Sequence, residues 1–401
     1  GSLRAIGQST APAAGSRGGI YLDNIGSGNL TIDAISSGGE LLLHAKNDIR
    51  MGDHTADVKG VIQTENDGDI ELISREGSIG SADKLLLVKN STEGVDDKRK
   101  VTVGAKKNIY LEGVSTATDQ KAAGGQLNLT LVDEGKAQGG DASLENVKVN
   151  VNGTLKLLDD VNVKENIEMN SVETLTLDKN LTAKNITLQT GEVTTVQGNV
   201  SKNEASDLNL KNSNINAKAT ASLNAAHDLL IESGNISAET ASLTAGRNLQ
   251  QTYGISADGK TPESGSIIEA KKLTAVSSGN LDLGSGLNKL NNVILDNRSK
   301  EKDADNNPVN NSIILGNAGT HGLNVEVHNT LAGQDDTVHG TLAITKYAMA
   351  AGATKVDDDM LLLNGAKAPN YHEIARFRSK RLSECAEELF VRLVKRLKDL
   401  G

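Results

Sequence analysis

The stretch Thr220-Ala221-Ser222-Leu223 recurs twenty residues later as Thr240-Ala241-Ser242-Leu243. Two further pairs have the same offset: Leu155-Lys156-Leu157 with Leu175-Thr176-Leu177, and Val161-Asn162-Val163 with Leu181-Thr182-Ala183. Self-similarity at a fixed period of about 20 to 50 residues is the signature of repeat architectures. The chain is therefore expected to fold as a stack of similar units and not as separate globular domains.

Within the repeat, apolar and polar residues alternate, as half-buried β-strands require. Examples are Leu30-Thr31-Ile32, Ile70-Glu71-Leu72, Val101-Thr102-Val103, Leu281-Asp282-Leu283 and Val325-Glu326-Val327. An Asn or Asp often precedes the apolar residue that opens a strand, as at Asn29, Asp48, Asp69, Asn108, Asn166, Asn185, Asn235 and Asn280. Because Asn and Asp tolerate left-handed backbone and bond their own turn, these residues are predicted at corners.

About twenty residues per unit, with two or three short strands each, predict an all-β fold, a right-handed parallel β-helix (solenoid) over residues 20–365. At roughly 4.8 Å per coil, about 17 coils would form a rod on the order of 80 Å long. Leucine-rich repeats need a Leu/Asn consensus, and ankyrin or tetratricopeptide repeats need helices; neither pattern is present. Gly1-Ser2 is interpreted as a cloning scar, and the remainder of residues 1–19 as a flexible lead-in.

The composition favours a solenoid and argues against several kinds of partner. Aromatic residues make up 2% of the chain, with two Phe, five Tyr and no Trp, so Leu, Ile, Val and Ala must build the core. One cysteine excludes an intrachain disulfide. The net charge of −10 argues against nucleic acid or an anionic membrane as a partner. No stretch approaches the roughly 20 apolar residues that a membrane-spanning helix needs.

Two insertions near residues 115–145 and 299–311 are predicted to protrude as loops, on a face that is often the binding face in solenoids. The second contains a candidate calcium loop with Asp303, Asp305 and Asn307 as ligands. Its sixth position is Pro308 where calcium loops have Gly, and its twelfth is Ile314 where they have Glu. A solvated run of charges is the alternative interpretation.

Residues 366–401 are predicted to form an amphipathic α-helix at the C-terminus. Its apolar stripe has three- and four-residue spacing and includes Leu382, Cys385, Leu389, Leu393 and Leu397. Three roles remain open: a cap on the end of the solenoid, a self-associating coiled coil, or contact with a membrane surface. Cys385 would be a core residue in the cap and a cross-linking residue in the coiled coil.

The residues predict no catalytic or cofactor site. Gly254–Thr261 matches the phosphate-loop pattern G-x-x-x-x-G-K-[ST], but the preceding residues do not form the buried hydrophobic strand that such a site needs and no helix follows, so a glycine-rich connection is expected. The seven histidines show no metal-ligand spacing. Sugar-cleaving sites combine paired carboxylates with aromatic rings, and this chain has few rings to stack on a sugar. The chain is predicted not to be an enzyme.

Three segments resemble the shaft repeats of filamentous-haemagglutinin-type exoproteins of Gram-negative bacteria: GSGNLTIDAISSGGELLLHAKNDI (26–49), GDIELISREGSIGSADKLLLV (68–88) and TASLTAGRNL (240–249). The resemblance covers most of residues 20–350 and implies a secreted or cell-surface adhesin exported by two-partner secretion. Implied partners are a host-cell receptor, matrix or glycan, and an outer-membrane transporter during export. The Asn-Pro-Asn motifs of that family's secretion domain are not seen, as expected of an interior or C-terminal fragment.

Two other classes share the predicted architecture. One is a β-helical polysaccharide-degrading enzyme, which would require paired carboxylates and stacking aromatics along one face. The other is a trimeric fibre similar to a phage tailspike, which would require self-association. The adhesive shaft is the function that the sequence favours.

Overall fold

The structure, a computed structural model, describes residues 2–7, 18–52, 61–64, 68–91, 99–114, 124–194, 198, 200–255, 262–298, 312–318, 323–330, 341–346 and 361–364. These residues form β-strands, numbered β1–β33 along the chain, and no helix. No helix that could cross a membrane is found within these ranges. The predicted all-β class is confirmed.

Sheet 1 contains fifteen strands: β1 (Ser2–Gly7), β3 (Leu30–Ser37), β5 (Ile49–Met51), β6 (Ile62–Thr64), β8 (Leu86–Lys89), β10 (Asn108–Val114), β12 (Asn146–Val151), β14 (Val161–Asn162), β15 (Asn166–Ser171), β17 (Leu181–Thr190), β21 (Asn214–Ala225), β23 (Asn235–Ala245), β27 (Ile267–Ser277), β29 (Lys289–Arg298) and β31 (Asn324–Thr330). Thirteen of them follow one another in chain order, with β5 beside β3 and β14 beside β17. All their pairings are parallel.

Strands that lie between those of sheet 1 along the chain form two shorter sheets. Sheet 2 consists of β2 (Ile20–Asn24), β4 (Leu41–Ala45), β7 (Ile70–Ser74), β9 (Val101–Ala105), β11 (Gln126–Asp133) and β13 (Thr154–Leu157). Sheet 3 consists of β16 (Leu175–Leu177), β20 (Leu208–Lys211), β22 (Leu229–Glu232), β24 (Leu249–Gln251), β28 (Leu281–Leu283), β30 (Ser312–Asn317), β32 (Thr341–Lys346) and β33 (Leu361–Asn364). Two antiparallel hairpins stand apart: β18 (Glu192–Thr194) with β19 (Val200–Lys202), and β25 (Tyr253–Ile255) with β26 (Pro262–Gly265).

The chain thus alternates between sheet 1 and sheet 2 as far as β13, and between sheet 1 and sheet 3 from β16 onward. Parallel strands need a crossover between them, and here each crossover passes through the other sheet. Long parallel sheets traversed in this way are consistent with a β-helix.

The twenty-residue repeat sets the register where no insertion intervenes. Thr220–Ala225 pairs in register with Thr240–Ala245, and Val161 pairs with Leu181. Other neighbours in sheet 1 are further apart in sequence, such as Asn108 and Asn146. The thirteen successive strands of sheet 1 that the structure describes span roughly 58 Å at about 4.8 Å per strand.

The core is aliphatic, as the composition predicts. Inward positions of the repeat are filled by Ala221, Leu223, Ala241 and Leu243, each at most 1% exposed. One continuous hydrophobic cluster runs from Leu30 to Leu315. A stack of this kind is stabilised mainly by contacts between neighbouring coils.

The corner Asn and Asp residues act through their side chains and not through left-handed backbone. Among the described non-glycine residues only Asn212 and Ser233 have positive φ. Several predicted corner residues instead accept a backbone N–H from the next coil: Asn29 from Asp48 (3.3 Å), Asp48 from Ser78 (2.9 Å), Asp69 from Lys100 (2.8 Å) and Asn235 from Ile267 (3.0 Å). None of the eight predicted corner residues has the left-handed backbone, so that part of the predicted reason is wrong.

Two segments that are predicted to be irregular contain strands. Residues 2–7 form β1 along β3, where the open edge of β3 offers N–H and C=O groups that β1 satisfies. The predicted loop at 115–145 contains strand β11, with Leu127 and Leu129 buried. Its later part, from residue 134, does leave sheet 2.

The last strand that the structure describes, β33, pairs antiparallel with β32, unlike the parallel pairs in the rest of sheet 3. The predicted helix at 366–401 and the predicted loop at 299–311 lie outside the described residues.

Candidate functional site

The repeated segment also builds a regular polar surface on the outside of sheet 1. Alternate residues of a strand point outward, so Ser222 and Ser242 share one face while Leu223 and Leu243 point into the core. We name the outward residues at this position in four adjacent strands the hydroxyl face: Thr187, Gln189, Ser222, Asn224, Ser242, Thr244, Thr274 and Val276. Its rows lie about 4.8 Å apart across strands and about 6.6 Å apart along them.

The hydroxyl face has no ionisable side chain, and most of its polar groups are uncommitted. In the described structure the side chains of Thr187, Ser222, Asn224, Ser242, Thr244 and Thr274 make no hydrogen bond to the protein. Charged residues border the face: Lys272 lies two positions before Thr274 on β27, and Asp296 pairs with Val276 on the next strand. The face therefore offers neutral donors and acceptors on a rigid sheet.

A neighbouring ladder of asparagines shows the opposite behaviour. Asn146 donates to Asn108 (2.8 Å), Asn166 to Asn146 (2.7 Å), and Asn185 to Asn166 (3.0 Å). These amides satisfy one another along the stack and contribute to its stability. The contrast separates a structural column from the hydroxyl face, whose groups face solvent.

A second cluster lies at the corner before sheet 3. The Nδ1 atom of His227 is 2.8 Å from Asp207 Oδ1 and 3.8 Å from Asp228 Oδ2. Within the described ranges this is the one group of three side chains with metal-ligating atoms close together. Its carboxylates already have protein partners: Asp207 accepts the N–H of Asp228 (3.0 Å), and Asp228 accepts that of Asn248 (2.9 Å).

The electrostatics of this cluster favour a structural role. Burial raises the pKa of Asp228, but hydrogen bonds from the Arg247 guanidinium and the Asn248 amide outweigh it, so the pKa lies below its usual value. The Nε atom of Arg247 lies 2.9 Å from Asp228 Oδ1. Arg247 therefore already supplies the positive charge that a metal ion would bring.

One carboxyl group has the raised pKa that a general acid needs. Burial raises the pKa of Asp282, against hydrogen bonds from the Gly284 amide (3.0 Å) and the Tyr253 hydroxyl (3.1 Å), which lower it. Its neighbours across sheet 3 are Gln250 and Ile314. Neither of these two neighbours carries a carboxyl group that could act with Asp282.

The structure describes only some of the residues that the sequence predicts to form sites. Asp303, Asp305 and Asn307 lie outside the described residues, while Ile314 of that candidate calcium loop lies in β30. The C-terminal residues Leu382, Cys385, Leu389, Leu393 and Leu397 also lie outside. Gly254 lies in β25, which pairs with β26 in an antiparallel hairpin, so the phosphate-loop pattern has a different context from a strand–loop–helix.

The Asp207–His227–Asp228 cluster was not predicted from the sequence, because metal ligands were sought only among residues a few positions apart. In a stack of twenty-residue coils, positions about twenty apart are spatial neighbours, as Asp207 and His227 are. The signal was present, and a search at the repeat offset would have found it.

Comparison of the chain with protein-family models, with curated proteins and with solved structures finds no match. The functional argument therefore depends on the residues and their arrangement.

Proposed function

We propose that the chain is the shaft of a bacterial adhesin, a right-handed parallel β-helix that binds host cells or surfaces and catalyses no reaction. The observation that carries this proposal is the hydroxyl face. Eight outward positions on four adjacent strands form a flat array without charge, and six of the side chains have free hydrogen-bonding groups.

Such a face suits recognition of neutral glycans. Sugar hydroxyls both donate and accept hydrogen bonds, as do the hydroxyls of Ser222, Ser242 and Thr274. Because a stacked sheet is already ordered, binding loses little conformational entropy. Each contact is weak, but a repeating array meets a repeating ligand at many points at once.

The cellular setting of the proposal rests on the resemblance of residues 26–49, 68–88 and 240–249 to exoprotein shaft repeats. We extend the proposal to display on the cell surface of a Gram-negative bacterium or release from it, after export through an outer-membrane transporter. In this proposal the segment 366–401 is a helix that caps the stack or joins it to a second copy.

Binding of the purified chain to immobilised neutral glycans, matrix proteins and host cells tests adhesion. A variant with Ser222→Glu and Ser242→Glu places two charges on paired positions of the hydroxyl face, and the matched control places them on paired positions of sheet 3 through Thr176→Glu and Asn209→Glu. We expect the face variant to lose about tenfold in binding or more, since each unpaired charge must shed water on contact. The control should bind as the wild type does.

If both variants lose binding equally, or neither loses any, the hydroxyl face is not the binding surface. Absence of binding by the wild-type chain to every surface would refute adhesion itself. Small-angle scattering with in-line light scattering tests the rest: an elongated particle supports the β-helix, and a compact one contradicts it. Deletion of 370–401 should promote end-to-end association if that segment is a cap.

A further inference from the structure

Sheet 1 is interrupted in the coil between β7 and β8. Ile79 bridges Ile49 on one side and Ile109 on the other as a single residue, where other coils place a whole strand. After Gly80 the chain turns away through Ser81–Lys84 before it rejoins the sheet at β8. The interruption leaves a cleft of about 490 Å³ on the outside of the sheet.

Gly80 lies in the cleft between two long side chains. Backbone hydrogen bonds of 2.8 Å join Gly80 to Ile49 and Tyr110 to Ile79. Arg50, Gly80 and Tyr110 therefore occupy equivalent positions in three successive coils, and Arg50 and Tyr110 are roughly 10 Å apart along the stack. A Cβ at residue 80 would lie 2.3 Å from the carbonyl oxygen of Tyr110, and φ is +68°, so the backbone excludes a side chain from this gap.

The polar side chains around the cleft retain groups that can bind a ligand. Arg50 donates to Asp48 through Nε (3.2 Å) and Nη2 (2.6 Å), while its Nη1 atom makes no hydrogen bond to a described residue. The Tyr110 hydroxyl likewise makes none to a described residue. The Ser78 hydroxyl accepts a hydrogen bond from Asn108 Nδ2 (3.3 Å), so its own proton can be donated. These groups and the phenol ring suit a ligand with hydroxyl groups and an apolar face.

The cations of the cleft are matched by carboxylates. The Arg50 guanidinium lies 2.6 Å from Asp48. Lys84 follows Asp83 in the turn, and Lys84 is also engaged within the protein. Neither cation is set aside for an anion.

The surroundings of Tyr110 also combine both signs of charge. Burial and the charge of Glu145 raise the pKa of the Tyr110 hydroxyl, against the charge of Lys148, which lowers it. Because the pKa is raised overall, the hydroxyl is neutral at neutral pH and can donate a hydrogen bond. Lys148 is itself paired with Glu168 (2.9 Å). The cleft therefore favours a neutral ligand over an ion.

The cleft and the hydroxyl face lie in one outward row of sheet 1. Tyr110 pairs with Lys148, which pairs with Glu168. Glu168 in turn pairs with Thr187 of the hydroxyl face. From Gly80 to Thr187 the row covers four steps between coils, roughly 19 Å at about 4.8 Å each. The intervening Lys148–Glu168 ion pair adds no net charge, so the row is passable for a neutral chain.

We infer that the cleft binds one neutral sugar residue of a glycan whose chain continues along this row to the hydroxyl face. The apolar face of a pyranose packs on the ring of Tyr110, and its hydroxyls bond to Tyr110, Ser78 and Arg50. The cleft volume lies within the range of about 300–1,000 Å³ that small-ligand sites span. Contacts at two places on one chain raise the affinity above that of either place alone. The inference rests on the proposed function and identifies where the glycan is anchored.

Isothermal titration of the full chain with neutral disaccharides and hexasaccharides tests the inference. The probes are linear galactan, glucan and mannan fragments, with a galacturonate hexasaccharide as the charged counterpart of the galactan. The cleft variants are Tyr110→Leu, which removes the ring and its hydroxyl, and Ala82→Trp, which fills the opening from an exposed position of the turn. The matched controls are Tyr21→Leu on sheet 2 and Ala137→Trp in the exposed segment after β11. Circular dichroism checks that each variant keeps its strand content.

We expect the tightest neutral hexasaccharide to bind at least about tenfold more tightly than its disaccharide, and each cleft variant to lose about tenfold for both lengths. The controls should bind as the wild type does. The Ser222→Glu, Ser242→Glu variant should weaken the hexasaccharide and leave the disaccharide unchanged.

Unchanged binding by both cleft variants would overturn the inference, and so would the absence of binding by every neutral probe. Tighter binding of galacturonate than of galactan would contradict the preference for a neutral ligand. Equal affinity for the two lengths would exclude the continuation of the glycan along the row.

The two proposals fail in different ways. If the cleft variants bind every oligosaccharide as the wild type does while the Ser222→Glu, Ser242→Glu variant loses surface adhesion, the cleft is excluded and the adhesive face stands. If a disaccharide binds at the cleft while the chain adheres to no surface, the adhesive function is excluded and the cleft stands as a sugar site.

Discussion

Asn180 directly precedes β17, as the corner residues precede their strands, and its replacement by Ala and by Gly separates two explanations of such residues. The Nδ2 atom of Asn180 donates to Asp160 Oδ2 (2.9 Å) in the preceding coil. Its Oδ1 atom accepts both the backbone N–H (3.0 Å) and the side-chain Nδ2 (2.8 Å) of Asn214 in the following coil. If the Asn180 side chain stabilises the contact between coils, both variants lose these hydrogen bonds and are less stable. If left-handed backbone were the reason for Asn at this position, Gly would replace it without loss of stability.

The structure sets the expected magnitude. Each neutral hydrogen bond contributes about 0.5–1.5 kcal/mol, and a bond to a charged group about 1.5–3 kcal/mol. Asn180 is half-buried and Asp160 exposed, so we take the low end of these ranges. Loss of three bonds then destabilises the contact between coils by about 2.5 kcal/mol, which corresponds to roughly seventyfold faster local opening.

Hydrogen–deuterium exchange of peptides covering β17 and β21 measures this opening. The matched control is Asn209→Ala, since the Asn209 side chain makes no hydrogen bond in the described structure. We expect faster exchange at Asn214 in both Asn180 variants and no change in the control. Exchange in Asn180→Gly at the wild-type rate would refute the side-chain explanation.

Three further predictions concern stability. Burial raises the pKa of Asp282, so the folded state disfavours its ionised form. At a pH above the pKa of Asp282 in the folded state, Asp282→Asn should therefore unfold at a higher urea concentration than the wild type, and this gain should vanish at a pH below the ordinary aspartate pKa of 3.8. Leu243→Ala should cost about 2–5 kcal/mol in chemical denaturation, whereas Leu230→Ala, which changes an outward residue of β22, should cost far less; equal costs would contradict the assigned faces. The Asp133 carboxylate accepts the N–H groups of Gly135 (3.1 Å), Ser143 (2.7 Å) and Leu144 (3.1 Å), so Asp133→Ala should speed proteolysis within 134–143 several-fold, and an unchanged cleavage rate would count against this anchoring role.

Much of the fold could be predicted because strand patterning is local. Alternation such as Leu30-Thr31-Ile32 reports which side of a strand is buried, whatever the neighbours are. The repeat between Thr220–Leu223 and Thr240–Leu243 also predicts the register of β21 on β23, since no insertion separates them. The same residues define the core and the hydroxyl face.

The candidate sites could be predicted much less well. The ladder of asparagines depends on the length of chain between its members, which brings the Asn146 amide within 2.8 Å of the Asn108 side chain. Nothing in the local pattern of either residue indicates this contact. The position of each insertion decides which side chains meet across coils.

The sequence by itself determined that this chain is all-β and repetitive, with an aliphatic core, because period and polarity are properties of neighbouring residues. Only the tertiary structure decided how many coils the described residues form, which sheet each strand joins, and what the corner Asn and Asp residues do. Those features depend on contacts between residues some twenty to forty positions apart, such as Asn108 with Asn146. The length of the intervening loop sets such contacts, and no local rule of polarity or propensity specifies it.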